Sequence, residues 1–159
     1  MIIEYSEKYQ DDVKRLLLEL QEYIASIDKE GYNIVTDDFQ DKYFDEMMDE
    51  VKDKSGKILL YQEDNSIVGV IVGSIHNEEE QSYGFHAPKR GKVDELIVSK
   101  HCRSHGYGKI LLEAMEEYLK SIGCKDILIE VFGYNDLGKY FYEKNGYHLR
   151  MMEMTKTDI

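Results

Sequence analysis

The stretch Arg103-Ser-His-Gly-Tyr-Gly108 sets two glycines among basic side chains, with Lys100 and His101 before it and Lys109 after it. That mixture suits the capture of an anion by main-chain amides and nearby cations. The first N–H groups of a helix lack internal partners, point outward and carry roughly half a positive charge through the helix dipole. Gly106 and Gly108 remove Cβ atoms, let the backbone close around phosphate oxygens and permit positive φ. Arg103 and Lys109 add countercharge, and His105 is placed to face phosphate. The expected ligand group is a pyrophosphate. Just upstream, Asp94 and Glu95 interrupt the apolar run Val93–Val98. Buried carboxylates are costly unless paired or used, and burial raises their pKa toward that of a working base. Strand alternation would place Asp94 with Leu96 and Val98, and Glu95 with Val93 and Ile97. A bulge would spoil that parity.

The elements that must position these residues are legible from apolar spacing. "IIEY" is a short strand. Val13, Leu16, Leu17, Leu20, Ile24 and Ile27 follow helical spacing within residues 7–27. A second helix is expected over residues 37–52, with Asp37 or Asp38 as N-cap and a buried stripe of Phe39, Tyr43, Phe44, Met47, Met48 and Val51. "KILLYQEDNSIVGVIVGSIH" reads as two strands joined by the polar turn at residues 63–66, and residues 77–92 as a loop or extended hairpin tip. "VDELIV" is a strand. Residues 108–122 form a helix stopped by Gly123, and "DILIEVF" is a strand covered on both faces. Residues 135–144 form a short helix, and a last strand is expected at residues 147–154. The order β-α-α-β-β-β-α-β-α-β is that of a single α/β domain over residues 1–159 with a mixed sheet.

Composition bounds the partners. The chain has formal charge −12, yet residues 86–109 carry six Lys or Arg against two Asp or Glu, a basic island of +4. Residues 1–85 carry eight against 21, a net of −13. One basic island in an acidic body suits a small anionic ligand rather than nucleic acid, which calls for a broad basic face. No apolar run reaches the roughly 20 residues that cross a bilayer, and the amino terminus lacks the basic flank and apolar segment of a signal peptide. Two cysteines, Cys102 and Cys124, fit a reducing cytoplasm better than a disulfide scaffold. His101, Cys102 and His105 have no companion cluster for a metal, so none is expected, and Cys102 has no identifiable base to make it a nucleophile.

Two nucleotide-binding patterns fail on spacing. Lys109 is followed by Ile110 rather than Ser or Thr, with no glycine at the upstream P-loop position. Gly106 and Gly108 are followed by Leu111 where the dinucleotide pattern needs a third glycine. The chain instead resembles the GNAT superfamily of acyl-CoA N-acyltransferases. Arg103, Gly106 and Gly108 match each fixed position of that family's Gln/Arg-x-x-Gly-x-Gly/Ala signature. "NDLGKYFYEKNGY", residues 135–147, looks like its second signature, an Asn opening a helix that ends Phe-Tyr-Glu-Lys-x-Gly-Phe/Tyr. The resemblance covers residues 57–154, and the first helices in outline.

The resemblance implies a mostly antiparallel sheet with helices on both faces and two splayed central strands, here residues 93–98 and 126–132, with acetyl-CoA between them. Pantetheine would pair with main chain near Ile97 and Val98, and the pyrophosphate would sit on Arg103, Ser104, His105, Gly106, Tyr107 and Gly108. Asn135 would contact the pantetheine side. The implied reaction is acetyl transfer to an amine, with Tyr142 as the acid near the sulfur. Tyr142 has a competing reading as core packing beside Phe141. Asp94, Glu95 or a water chain would serve as base, Asp94 lying nearer the family's usual acidic position, while a salt-bridged structural role stays open for each. The charge of residues 1–85 favours a cationic amine: a polyamine, an aminoglycoside-like compound, a lysine or an N-terminal amine. A non-catalytic acyl-CoA sensor or partner-binding module is the rival reading, a different acyl group is a third, and a homodimer is compatible with all of them. Two departures stand out. Ser99 to Cys102 replace the proline and aromatic common in the family, and Gly138 stands where alanine is usual, at about 1 kcal/mol of helix propensity.

Overall fold

A strand buried on both faces runs through the centre of the computed structural model, which describes residues 1–76, 84 and 86–157. This is β3 (Ser66–Ile75), whose residues from Ile67 to Ser74 are all buried. Its run of Ile and Val has no polar alternation because helices cover both sides. β2 (Lys57–Glu63) and β4 (Arg90–Val98) flank it antiparallel, β1 (Ile2–Glu4) pairs with β2, and β5 (Asp126–Ile129) joins β4 in parallel. The sheet order is β1-β2-β3-β4-β5.

α1 (Gln10–Ile27) and α2 (Phe39–Asp53) cover one face, and α3 (Tyr107–Ser121) and α4 (Asp136–Lys144) the other. Val13, Leu16, Leu17, Phe44 and Met47 meet Ile58, Leu60, Val70, Val72 and Ile97. On the far side, Leu111, Leu112, Met115 and Leu119 meet Leu59, Ile71 and Val93. Each fully buried leucine here contributes about 1.5–3 kcal/mol of transfer free energy. α3 lies close to the sheet because its residues at four-residue intervals rest on glycines. A Cβ on Gly69 would lie 2.9 Å from Leu111, one on Gly73 2.6 Å from Met115, and one on Gly91 2.7 Å from Leu119.

The expected α/β architecture and its helix order are present, with three differences in the strands. The strand expected over residues 126–132 and covered on both faces stops at Ile129, with Asp126 exposed and residues 127–129 half-buried, because its pairing with β4 ends there. β4 begins at Arg90, so the end of the expected loop is strand, and the rest of that loop at 77–83 and 85 lies outside the described residues. The last strand, expected over 147–154, is absent: the segment after α4 carries no strand, with Leu149, Met151, Met152 and Met154 69–88% exposed. β5 offers only a four-residue template, and the adjacent methionines at 151 and 152 break the period of two a half-buried strand requires.

Candidate active site

β4 breaks its register where the two carboxylates fall. Val72 pairs with Glu95 and Gly73 with Val93, so Asp94 is an extra residue without a partner. Such a bulge turns successive side chains onto one face. Val93, Leu96 and Val98 therefore pack on the α3 side and Ile97 on the α1–α2 side. The parity expected for Asp94 fails, and only the pairing of Glu95 with Ile97 survives. Both carboxylates now face α2. Glu95 accepts a hydrogen bond from the Tyr43 hydroxyl. Asp94 accepts one from Ser74 Oγ at 2.8 Å, with Lys92 Nζ at 3.9 Å.

Their environments differ. Burial pushes the Glu95 carboxyl up to about 7; the Tyr43 hydrogen bond opposes this, Asp94 and Glu50 reinforce it, and Lys92 offsets them. Asp94 is also raised by burial, against the lowering effects of Ser74 and Lys92. Glu95 is thus the carboxylate placed to exchange a proton near neutrality.

The bulge also marks the place where the sheet opens. β4 and β5 pair at four positions, ending at Val93 and Ile129, and β4 then runs on to Val98 paired with β3 alone. Lys92 Nζ reaches Glu130 at 2.9 Å, clamping the base of the resulting cleft. The Ser99 N–H donates to the Val68 carbonyl at 2.8 Å. Main-chain groups alternate along an antiparallel strand, so Ile97 also faces β3, whereas Leu96 and Val98 face the open edge. Arg103 Nε donates to the Val98 carbonyl at 3.0 Å. Of the two residues expected at the cleft, Val98 presents its main chain there; Ile97 does not, and Leu96 takes its place.

The loop at the head of the cleft presents unpaired main-chain amides beside basic side chains. Gly106 is the N-cap of α3 at φ +82°, and Ser104 adopts φ +67°. Gly108 needs no positive φ; a Cβ there would stand 3.5 Å from the Phe141 ring. Ile110 is the first helix residue to donate a backbone bond, to the Gly106 carbonyl at 3.1 Å. Among the described residues, the amides from Ser104 to Lys109 have no main-chain partner. His105 Nδ1–H donates to the Arg103 carbonyl at 2.9 Å, which fixes the turn. Tyr107 stacks on Tyr61 at 4.2 Å between centroids and donates to Glu63, tying the loop to β2. Lys109 Nζ lies 3.5 Å from Glu113. These amides and cations fit a diphosphate.

On the other lip, Asn135 caps α4: its Oδ1 accepts from the Gly138 N–H at 2.9 Å. A Cβ on Gly138 would lie 2.5 Å from Asn135 Nδ2, so glycine lets that side chain fold over the helix start. Tyr142, in the last turn of α4, packs edge-on against Phe141 and Tyr147. Burial and the charge of Glu95 raise its pKa, which keeps it a protonated donor. Its hydroxyl has no hydrogen-bond partner among the described residues, and no buried side-chain polar atom there is unsatisfied, so it opens onto accessible space. Also among the described residues, no group of three His, Cys, Asp or Glu is arranged for a metal, and no helix is long and apolar enough to cross a membrane.

The sequence model of the Acetyltransferase (GNAT) family covers residues 21–147. The chain belongs to the GNAT acetyltransferase family. Glucosamine 6-phosphate N-acetyltransferase of Arabidopsis thaliana is 26% identical over 128 residues, 79% of this chain and 83% of that one. A crystallised mutant protein of Bacillus halodurans superposes with a TM-score of 0.80 at 19% identity, over 100% of this chain and 99% of its own. The aminoglycoside acetyltransferase AAC(6')-Iy, solved with a CoA-containing bisubstrate analogue, gives 0.71 at 15% identity, over 99% and 98%.

Within this GNAT acetyltransferase, sequence reasoning missed three contributors. Tyr43 reads from the sequence as one more apolar member of the α2 stripe. Glu19 and Tyr23, one turn apart on α1, hold both lips of the cleft. Glu19 accepts from the Lys100 N–H at 2.6 Å and Ser99 Oγ at 3.2 Å, and lies 3.8 Å from Arg103 Nη2. The Tyr23 ring lies 5.8 Å from the Arg103 guanidinium, and its hydroxyl donates to Asn135 Oδ1 at 3.2 Å. The only available signal was their i,i+4 spacing beside the apolar stripe of α1.

Proposed function

We propose that this chain transfers an acetyl group from acetyl-CoA to a primary amine that is cationic in solution, by direct attack in a ternary complex. The observation that carries the proposal is Glu95, titrating near 7 at the point where β4 and β5 part, with Tyr142 close enough to feel its charge. The amides of Ser104 to Lys109, with Arg103 and Lys109, would hold the diphosphate of the co-substrate. The open edge at Leu96 and Val98 would pair with its pantetheine arm, and Asn135 would border that arm on the far lip. Holding amine and thioester in register supplies much of the rate of such a reaction.

The proton steps follow from the two pKa directions. Glu95, ionised above about 7, takes a proton from the arriving ammonium. The neutral nitrogen attacks the thioester carbonyl, the C–S bond breaks, and the Tyr142 hydroxyl gives its proton to the departing sulfur. The second nitrogen proton passes to solvent as the amide forms, and Glu95 can return its own to the Tyr142 phenolate.

The acceptor is proposed from charge. Residues 1–85 carry a net −13, and Glu50 of α2 adds to the negative potential at the two carboxylates. An anionic sugar phosphate, the acceptor class named for the plant relative, is disfavoured by that field. Incubation with acetyl-CoA and a panel of a polyamine, an aminoglycoside, a lysine peptide, a neutral-backbone amine and glucosamine 6-phosphate tests this by release of free thiol. Polyamine or aminoglycoside should lead. Neutral or anionic acceptors in front would remove the charge argument, and cofactor binding without thiol release for any amine would leave a sensor.

A further inference from the structure

We infer that Tyr43 is a positioning residue for the reaction, holding the Glu95 carboxylate in place at the base of the cleft through a hydrogen bond delivered from α2. The inference rests on the proposed role of Glu95 and deepens it. Tyr43 lies one turn after Phe39, whose ring stacks on it at 5.0 Å and 14°, so the phenol has little freedom to swing. Its hydroxyl ends on Glu95 Oε1. Glu95 directly follows the bulge residue Asp94, where the strand gives up its regular pairing and a long side chain has least support from its own sheet. A phenol from the opposite layer supplies what the strand does not.

The arrangement has a chemical consequence. The groups that face Glu95 are Asp94 and Lys92 on β4, Tyr43 and Glu50 on α2, and Tyr142 on α4. Apart from the ammonium of Lys92, only Tyr43 favours the ionised carboxylate, because its donor stabilises negative charge while burial, Asp94 and Glu50 oppose it. Burial and the neighbouring Glu95 raise the Tyr43 pKa strongly, so it remains a donor throughout the working range. Glu95 therefore sits between two phenols: one holds it on the acceptor side, and one faces the sulfur side. α2 thereby couples the wall of the acceptor site to proton uptake.

The test is the pH dependence of kcat/KM in three variants. Tyr43→Phe keeps the ring stack and removes the donor, so the acidic limb should move up by about one pH unit. The rate at pH 6 should then fall about tenfold, while the rate on the alkaline plateau changes little. Replacing Tyr43 by 3,5-difluorotyrosine, a stronger donor of nearly the same size, should move the limb the other way and covers the case in which the phenylalanine variant does not fold. Glu95→Gln should abolish the limb. If Glu95→Gln abolishes it but neither change at Tyr43 moves it, the role of Tyr43 is overturned. If the limb survives in Glu95→Gln, the proposed base itself is wrong.

Discussion

Glu95, the proposed base, illustrates how a buried carboxylate is kept at a cost to the fold. Its carboxyl titrates near 7 against an ordinary 4.5, so the folded protein holds the neutral form more tightly than the unfolded chain does. The sign is fixed by that direction. The stabilisation is complete below about 4.5 and is lost as pH rises through about 7, so the ionised group at pH 8 weakens the fold relative to a neutral isostere by up to about 3 kcal/mol. Glu95→Gln should therefore be more heat-stable than the parent at pH 8 by several degrees and no more stable at pH 4.5, while losing most of its turnover. Calorimetry at the two pH values checks it. A stability gain that is equal at both would mean that packing, not charge, governs the site. Asp94 should respond less, because Ser74 and Lys92 already partner it.

The loop and helix start at Arg103–Gly108 divide their glycines between two tasks. Gly106 needs φ +82°, which costs an alanine about 1–2 kcal/mol, although no atom lies within 4 Å of where its Cβ would sit. Gly108 has an ordinary backbone and only Phe141 nearby, at 3.5 Å. Gly106→Ala should lower the affinity for CoA about tenfold by turning the amides away from the diphosphate, and should lower the melting point by a few degrees. Gly108→Ala should leave the melting point nearly unchanged. Titration calorimetry with CoA decides it, and equal affinities for parent and Gly106→Ala would show that the loop does not grip the phosphates. These elements also show what the sequence could carry. The helices were legible because Val13, Leu16 and Leu17, or Leu111, Met115 and Leu119, repeat at helical spacing, and the anion loop because its glycines and cations are contiguous. The facing of Asp94 was not, since a bulge is a register event between two strands. Nor was the contact of Tyr43 with Glu95, 52 residues apart, or the seating of α3 on Gly69, Gly73 and Gly91, because each depends on the packing of distant segments. The expected last strand failed for the same reason: its residues have strand-like character, but β5 gives them only four positions to pair with.

Across the whole molecule, charge is what the proposed choice of acceptor rests on. The acidic first half and the +4 island at residues 86–109 divide the charge unevenly along a chain whose total is −12. Exposed charges are screened beyond about 8 Å at physiological ionic strength, so the acidic body acts over distance only when salt is low. A polycationic acceptor should then be gathered by the body as a whole, whereas the contacts proposed for CoA are local to the cleft. Raising salt from about 50 to 500 mM should raise KM for a polyamine at least several-fold and leave KM for a neutral-backbone amine nearly fixed. Steady-state kinetics over that range reads the effect directly. If the two acceptors shift in parallel, the acidity of residues 1–85 serves solubility rather than substrate choice, and acceptor selection must lie in short-range contacts around Tyr43, Glu50 and Asp94.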